Sequence, residues 1–230
     1  MLANFYKGKF TPPLFSHENW FTSLKGDVIF LRKKGAGFVV FEGLDGSGQS
    51  TQAELLREHL EGLGNKVILT KEPTIDSEAG RRIKKVLSHE EKLEPETLQE
   101  LFNEDRKEHL ENLIMPALKD GKIVISDRYF FSTFAFGSLG CNFDWLLKIN
   151  NDFILPDLTF ILDVRPEVSI ERIKKRGKTA EFFEKFEILK KVREAYKTFP
   201  EKFEDVYLID GEKPISEVFL DVKFISAGKI

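Results

Sequence analysis

The chain has 230 residues, of which 41% are hydrophobic, so it is long enough for one α/β domain with a sizeable core. Its 35 basic and 38 acidic residues give a formal net charge of −3, which excludes the global positive field that drives non-specific nucleic-acid binding. No apolar run approaches the roughly 18 residues that a bilayer span needs, so we expect no membrane association. The single cysteine, Cys141, excludes an internal disulfide and suits a cytoplasmic protein.

Residues 1–36 are predicted to form an N-terminal extension. Thr11-Pro12-Pro13 breaks regular structure, and the aromatic residues of this stretch follow no helical period. Within it, residues 28–31 are predicted as a short strand. We interpret the extension as a surface arm partly packed on the domain; the alternative is that it covers a sheet edge or a partner surface.

From residue 37 onward, apolar strands alternate with amphipathic helices. The predicted strands are 38–42, 66–70, 122–126, 158–164 and 206–209. The predicted helices are 51–63, 78–87, 95–118, 143–153, one that begins at Pro166, one that ends near 199, and 215–225. This alternation predicts an α/β fold, in which helices cover both faces of a parallel sheet of about five strands.

A phosphate-binding loop is predicted directly after the first of these strands. The segment Gly43-Leu44-Asp45-Gly46-Ser47-Gly48-Gln49-Ser50 matches the P-loop pattern except at its lysine, and it lies between a strand and a helix. Glycines let backbone N–H groups turn inward around phosphate oxygens, and the start of the helix favours an anion. The predicted ATP-phosphate ligands are Gly43, Gly46, Ser47, Gly48, Gln49, Ser50 and Thr51, with the Ser50 hydroxyl on Mg²⁺.

Gln49 stands where this pattern has lysine. A neutral amide replaces a full positive charge, and charge-assisted hydrogen bonds are roughly twice as strong as neutral ones. In a phosphoryl-transfer site, the loss could slow the chemistry by roughly 10²-fold or more unless another cation replaces the charge. The chain therefore either carries a compensating cation or binds nucleotide and catalyses poorly.

Several motifs in order resemble the thymidylate (dTMP) kinase family from residue 38 to the C-terminus. They are the loop itself followed by Ser50-Thr51-Gln52, Glu72-Pro73, the stretch 101–106, Asp127-Arg128-Tyr129, and the stretch 192–196. The resemblance implies a P-loop kinase domain over 37–230 that moves the γ-phosphoryl of ATP to dTMP with Mg²⁺. It also implies a homodimer.

Matching positions assign roles on the acceptor side. The resemblance places Arg128 on the acceptor phosphate, where a guanidinium can bond two oxygens, and Asp127 beside Ser50 at the metal. Phe102 and Arg106 lie four residues apart on a helix, suited to stacking on thymine and to bonding its O4. The remaining predicted dTMP ligands are Asp45, Glu72, Phe136 and Ser138.

Base recognition departs from the family pattern in one place. Many bacterial members carry a Tyr-Gln pair that reads the thymine edge, and this chain has Phe136-Gly137 there, so Ser138 is the candidate to supply the lost hydrogen-bond donor or acceptor.

Lys71 stands where the family often has arginine, before Glu72. His109 is expected on the surface of the long helix.

A basic cluster predicts a mobile lid over about 172–184. Family members with glycine at the position of Gly46 place a catalytic arginine in the lid, so Arg172 and Arg176 are the predicted catalytic cations beside Asp45 and Arg128. We hypothesise that a lid cation also replaces the missing lysine.

Two alternative functions stay open: a kinase for another deoxynucleoside monophosphate, and a nucleotide-binding protein with weak catalysis.

Overall fold

A computed structural model describes residues 20–22, 28–31, 33–175 and 182–230, and for 20–22, 28–31 and 182–185 it describes the backbone path alone. Two predicted features, most of the N-terminal extension and Arg176 of the lid, lie outside the described residues. The strands are β1 (Trp20–Thr22), β2 (Val28–Leu31), β3 (Gly37–Gly43), β4 (Val67–Lys71), β5 (Ile123–Asp127), β6 (Leu158–Asp163) and β7 (Val206–Asp210).

Helices follow most of these strands. They are α1 (Gln49–Gly62), α2 (Glu78–Leu87), α3 (Pro95–His109), α4 (Met115–Lys119), α5 (Phe130–Gly137), α6 (Phe143–Ile149), α7 (Pro166–Lys175), α8 (Phe182–Lys197), α9 (Phe199–Lys202) and α10 (Ile215–Ser226). None of the helices in the described ranges is long and apolar enough to cross a membrane.

The predicted parallel sheet of about five strands is confirmed. Its order is β4-β5-β3-β6-β7, and every neighbouring pair is parallel. Strands β1 and β2 form a separate antiparallel pair; β2 has its predicted bounds, whereas the short β1 was not predicted.

The core lies on both faces of the sheet. Successive residues of a strand point to opposite faces, and β3 is buried along its whole length. Phe38 and Val40 pack into the core that α5 and α8 cover, whereas Val39 and Phe41 pack into the core under α1 and α10. A strand buried on both faces is typical of a parallel sheet, and it explains why this segment is a continuous apolar run.

Two predicted helices end or break before their predicted bounds, and one helix was not predicted. The long predicted helix is broken by a π-helical turn over Leu110–Ile114, directly before Pro116, because proline has no N–H to continue the ladder. Helix α6 ends at Ile149 rather than 153, since the buried Asn150 donates its amide to the carbonyl oxygen of Leu146. Helix α5, composed largely of phenylalanines, was not predicted.

The sheet topology brings the functional segments to one edge. The carboxyl ends of β3, β4 and β5 are adjacent, with Phe41 and Lys71 both opposite Asp127 in register. Ligands bind beyond the carboxyl ends of the strands in open α/β sheets. The loop after β3 therefore faces Lys71 and Asp127 across this edge.

Candidate active site

The loop between β3 and α1 depends on its glycines. Gly43, Gly46 and Gly48 have φ values of 143°, 84° and 107°, in the region that side chains rarely adopt. A Cβ at Gly43 would lie 2.8 Å from the carbonyl oxygen of Leu162, and one at Gly46 would lie 2.9 Å from that of Ser169. Helix α1 begins after Gly48 with no side chain capping its first turn, so its first N–H groups face the loop as an anion site.

Gln49 is buried and closes this loop. Its Nε2 donates to the carbonyl oxygen of Gly43 at 3.1 Å, and its Oε1 accepts from Nη2 of Arg128 at 3.3 Å. Only 6% of the residue is exposed. Both ends of the amide therefore hold protein groups, and the side chain brings no charge to the loop.

Ser50, Asp127 and Lys71 converge beside the loop. Ser50 Oγ donates to Asp127 Oδ2 at 2.5 Å, and Lys71 Nζ lies 2.8 Å from the same oxygen. Asp127 is buried, and its Oδ1 has no hydrogen-bond partner among the described residues. A hydroxyl beside an unpartnered carboxylate oxygen is a donor set that Mg²⁺ accepts, with the remaining ligands supplied by phosphates and water.

Arg128 is held between the loop and α5. Its backbone has φ 79°, an uncommon conformation for a residue with a side chain, and its N–H donates to the carbonyl oxygen of Phe41 at 2.9 Å. Its Nη2 lies 2.7 Å from Asp45 Oδ1, its Nη1 donates to Ser132 Oγ at 2.9 Å, and its guanidinium lies 5.6 Å from the centre of the Phe136 ring. The strained backbone thus aims the cation at the loop.

Burial and charge oppose each other at this arginine. Burial lowers the pKa of the Arg128 guanidinium, but the neighbouring acidic groups Tyr196, Asp45, Glu42 and Asp127 outweigh burial and raise it above its ordinary value. Arg128 therefore stays charged at any working pH.

The buried carboxyl of Glu42 supports Arg128 through Ser132. Its Oε1 accepts the N–H groups of Tyr129 and Ser132, and its Oε2 accepts Ser132 Oγ at 2.5 Å and the Tyr196 hydroxyl at 2.9 Å. Burial raises the pKa of Glu42 from 4.5 to about 7, although Arg128 and these hydrogen bonds lower it in part. Ser132 thus joins the guanidinium of Arg128 to a carboxyl that titrates near neutral pH.

Arg106 lies in a second buried network, on α3. Its Nε donates to Glu72 Oε2 at 2.8 Å, its Nη1 to Asn150 Oδ1 at 2.6 Å, and its Nη2 to Thr133 Oγ1 at 3.2 Å. Glu72 is also buried, and its carboxylate orients Arg106. Phe102, one turn earlier on α3, is half-buried beside Ala79, Ile83 and Leu101.

The expected surface position of His109 is wrong. The side chain is buried, with Nδ1 3.1 Å from Glu72 Oε1 and Nε2 2.7 Å from Thr70 Oγ1. Polar partners at the end of β4 stabilise the imidazole in the interior, and a single sequence offers no signal for such distant partners.

The last two residues of α5 and the residue after it differ in exposure. Phe136 is half-buried under Arg128, and Gly137 lies against Gln99, whose side-chain Oε1 would be 3.1 Å from an added Cβ. Ser138 is exposed, and its hydroxyl donates to the carbonyl oxygen of Ala135 at 3.1 Å. To reach a base edge, Ser138 has to release that carbonyl.

Arg172 of the predicted lid lies against the loop. Its Nη1 donates to the carbonyl oxygens of Ser47 at 3.2 Å and Gly211 at 3.0 Å. Ser169, one turn earlier on α7, donates to the carbonyl oxygen of Asp45 at 2.5 Å. Helix α7, which ends at Lys175, is therefore bonded to the loop at two points.

Sequence reasoning missed three supporting groups. The sequence does offer a signal for Glu42, because an ionisable residue within a buried strand needs hydrogen-bonding or charged partners. Ser132 and Tyr196 come from α5 and α8, and no spacing rule places them next to Glu42.

Together, the loop, the Ser50–Asp127 pair and the parallel sheet define a P-loop nucleotide-binding α/β protein. The model of the thymidylate kinase family matches residues 41–222, more than half of the chain. The chain therefore belongs to the thymidylate kinase family.

Curated relatives agree with this membership. The chain is 40% identical over 191 residues to a probable thymidylate kinase of Pyrococcus horikoshii, covering 80% of this chain and 93% of that protein. It is 41% identical over 193 residues to a probable thymidylate kinase of Pyrococcus abyssi, with the same coverage. It is also 36% identical over 193 residues to a thymidylate kinase of Caldicellulosiruptor saccharolyticus, covering 81% of this chain and 93% of that protein.

Proposed function

We propose that this chain is a thymidylate kinase, which transfers the γ-phosphoryl of ATP to dTMP and gives ADP and dTDP. One relationship carries the proposal: Arg128 contacts Gln49 and Asp45 of the phosphate loop and also faces Phe136 at the acceptor side. A single cation thus lies where a donor phosphate and an acceptor phosphate would meet. Membership of the family supports the same reaction.

The donor phosphates are assigned to the loop. Backbone N–H groups from Gly43 to Thr51 bind the phosphate oxygens, and the start of α1 supplies partial positive charge. Ser50 and Asp127 would hold Mg²⁺, which would neutralise negative charge on the phosphates. No group of three or more His, Cys, Asp or Glu side chains that could hold a metal ion occurs in the described ranges. Ser50 and Asp127 supply two ligands, to which phosphates and water would add.

The acceptor is assigned to the pocket between α3 and α5. Phe102 stacks on the base and Arg106 bonds its carbonyl oxygen, while Glu72 holds Arg106 in place. Arg128 binds the acceptor phosphate, with Asp45 beside it. Phe136 lines the pocket under Arg128, and Ser138 contributes only if it leaves the Ala135 carbonyl.

The chemistry is an in-line transfer without a covalent enzyme intermediate. A phosphate oxygen of dTMP attacks the γ-phosphorus, and the bond from that phosphorus to the bridging oxygen of ADP breaks. Arg128, with Arg172 and Arg176 of the lid, neutralises the charge that spreads over the transferred phosphoryl. Closure of the lid would require Arg172 to exchange the carbonyls of Ser47 and Gly211 for phosphate oxygens.

A substrate panel tests the proposal. The protein is incubated with ATP, Mg²⁺ and each of the common deoxynucleoside and ribonucleoside monophosphates, and ADP formation is followed. ADP that forms with dTMP in preference to the other acceptors supports the proposal. ADP that forms with another monophosphate instead assigns a different acceptor, and ATP binding without ADP formation contradicts a kinase.

The homodimer, the cytoplasmic location and the boundary at residue 36 stay predictions.

A further inference from the structure

The phosphate loop lacks an ammonium group, and Gln49 cannot replace it. The amide of Gln49 is neutral, and both of its ends bond protein groups, Gly43 and Arg128. A phosphoryl group in transfer carries spread negative charge, and neutral donors stabilise it about half as well as charged ones. Another residue has to bring that charge to the site.

Lys71 places an ammonium group at the same edge of the sheet. It is the last residue of β4 and lies opposite Asp127, the last residue of β5. Its Nζ lies 2.8 Å from Asp127 Oδ2, the oxygen that also accepts Ser50 Oγ. The ammonium group and the first turn of α1 are therefore separated by a single carboxylate oxygen.

Lys71 also has the freedom to change partners. Its side chain is 59% exposed, whereas that of Asp127 is 6% exposed. Lysine carries its charge on a flexible four-carbon stem, so Nζ can move while the backbone of β4 stays in the sheet. Asp127 Oδ2 also accepts Ser50 Oγ, so Nζ can leave this oxygen for a phosphate oxygen while Asp127 keeps a hydrogen-bond partner.

The other described cations near the loop are more firmly held. Arg128 bonds Asp45, Ser132 and Gln49, and its side chain is 12% exposed. Arg172 donates to the carbonyl oxygens of Ser47 and Gly211. Lys71 can therefore reach a new phosphate partner with the smallest rearrangement.

We propose that Lys71 is the catalytic cation that replaces the P-loop lysine. Its Nζ leaves Asp127 and binds the phosphate oxygens of the donor nucleotide from the end of β4. This inference rests on the proposed kinase function. It assigns the compensating charge to β4 rather than to the lid, and leaves Arg172 and Arg176 to neutralise the transferred group.

Variants at both positions test the replacement directly. Lys71→Met should lower kcat with dTMP by about 10²-fold, the scale of a lost transition-state donor, and Lys71→Arg should retain most of the activity. Adding Gln49→Lys to Lys71→Met should restore most of the loss, because a lysine then stands in the loop. Lys66→Met is the matched control, since Lys66 is exposed and precedes β4 at its opposite end, and it should leave kcat unchanged.

A binding measurement separates this inference from the reaction. Isothermal titration of ATP in EDTA measures the affinity without metal, and Lys71→Met should weaken it about tenfold, which is about 1.4 kcal/mol. Thermal melting establishes that each variant is folded. If Gln49→Lys itself inactivates the enzyme, this affinity alone decides.

The outcomes are distinct. If folded Lys71→Met keeps wild-type kcat and wild-type ATP affinity, or if an active Gln49→Lys background gives no recovery, Lys71 does not replace the loop lysine. If the wild-type protein forms no ADP with any acceptor, the kinase function fails, and the metal-free ATP affinity still supports or overturns the role of Lys71 in phosphate binding.

Discussion

Gln49 donates its side-chain amide to the carbonyl oxygen of Gly43, six residues earlier, and so closes the phosphate loop on itself. The residue that looks like a defect in the sequence is a structural part of the loop in the fold. The position of Gln49 is compatible with phosphate binding by the backbone. The positive charge that a lysine would bring has to come from another residue.

Replacing Gln49 by leucine should weaken ATP binding. The change leaves the buried carbonyl of Gly43 without its partner, at a cost of about 1–3 kcal/mol, and loosens the loop. Isothermal titration with ATP and thermal melting measure the two effects. Gln52→Leu is the control: Gln52 is buried on the same helix but donates to Ile215, so it should lower the melting temperature and leave ATP affinity unchanged. Equal ATP affinities in the two variants would contradict the closing role of Gln49.

The glycine at position 46 is expected to be required by its backbone conformation and by contact with α7. At φ 84°, Gly46→Ala strains the backbone by roughly 1–2 kcal/mol and brings Cβ within 2.9 Å of the carbonyl oxygen of Ser169. ATP affinity should fall. Gly64→Ala has a similar φ of 88° but open space, so it should cost strain alone and bind ATP normally. Normal ATP binding by Gly46→Ala would show that the loop tolerates the contact.

Glu42 should make stability depend on pH near neutrality. Its carboxyl has a folded-state pKa of about 7, raised by burial from 4.5. Between these values the native state keeps a proton that the unfolded chain releases, so the free energy of unfolding falls as pH rises through this window, by on the order of 3 kcal/mol. Denaturant unfolding from pH 4.5 to 8 measures the slope.

Glu42→Gln should remove that fall, because the amide does not titrate. Glu58→Gln, an exposed change on α1, should leave the slope as in the wild-type protein. The same fall in wild type and Glu42→Gln would mean that another group causes it.

Glu72 should matter for the acceptor rather than for ATP. Glu72→Gln leaves the buried guanidinium of Arg106 without its carboxylate, at a cost of about 3–5 kcal/mol in stability. The KM for dTMP should rise about tenfold, equivalent to about 1.4 kcal/mol, while the KM for ATP stays unchanged. Glu54→Gln breaks an exposed pair with Arg57 and should leave stability close to that of the wild-type protein. A rise in both KM values would mean that Glu72 acts only through the stability of the fold.

The sequence predicted the sheet well because its central strands β3, β5 and β6 are buried on both faces and stand out as short apolar runs. Helix ends that depend on a single side chain were less predictable. Asn150 ends α6 by bonding Leu146, a contact that composition does not reveal. Helix α5 was missed because its phenylalanines, such as Phe130 and Phe134, show no polar face to mark a helical period.

The candidate site divides in the same way. Ser50, Asp127 and Arg128 occur within local motifs, and the fold brings them together at one edge of the sheet. The groups that hold them come from distant segments: Glu42 precedes the loop, and Tyr196 lies 154 residues further along the chain. Such contacts follow from the fold, and neither spacing nor periodicity in one sequence predicts them.

The most direct test of the account is product identity with ATP labelled at its γ-phosphorus. Purified protein, Mg²⁺, labelled ATP and dTMP are combined, and the nucleotides are separated by chromatography. We predict that the label appears in dTDP in step with the formation of ADP, and that Arg128→Ala abolishes this transfer. Label that appears only as inorganic phosphate, or ADP that forms without labelled dTDP, would contradict this prediction.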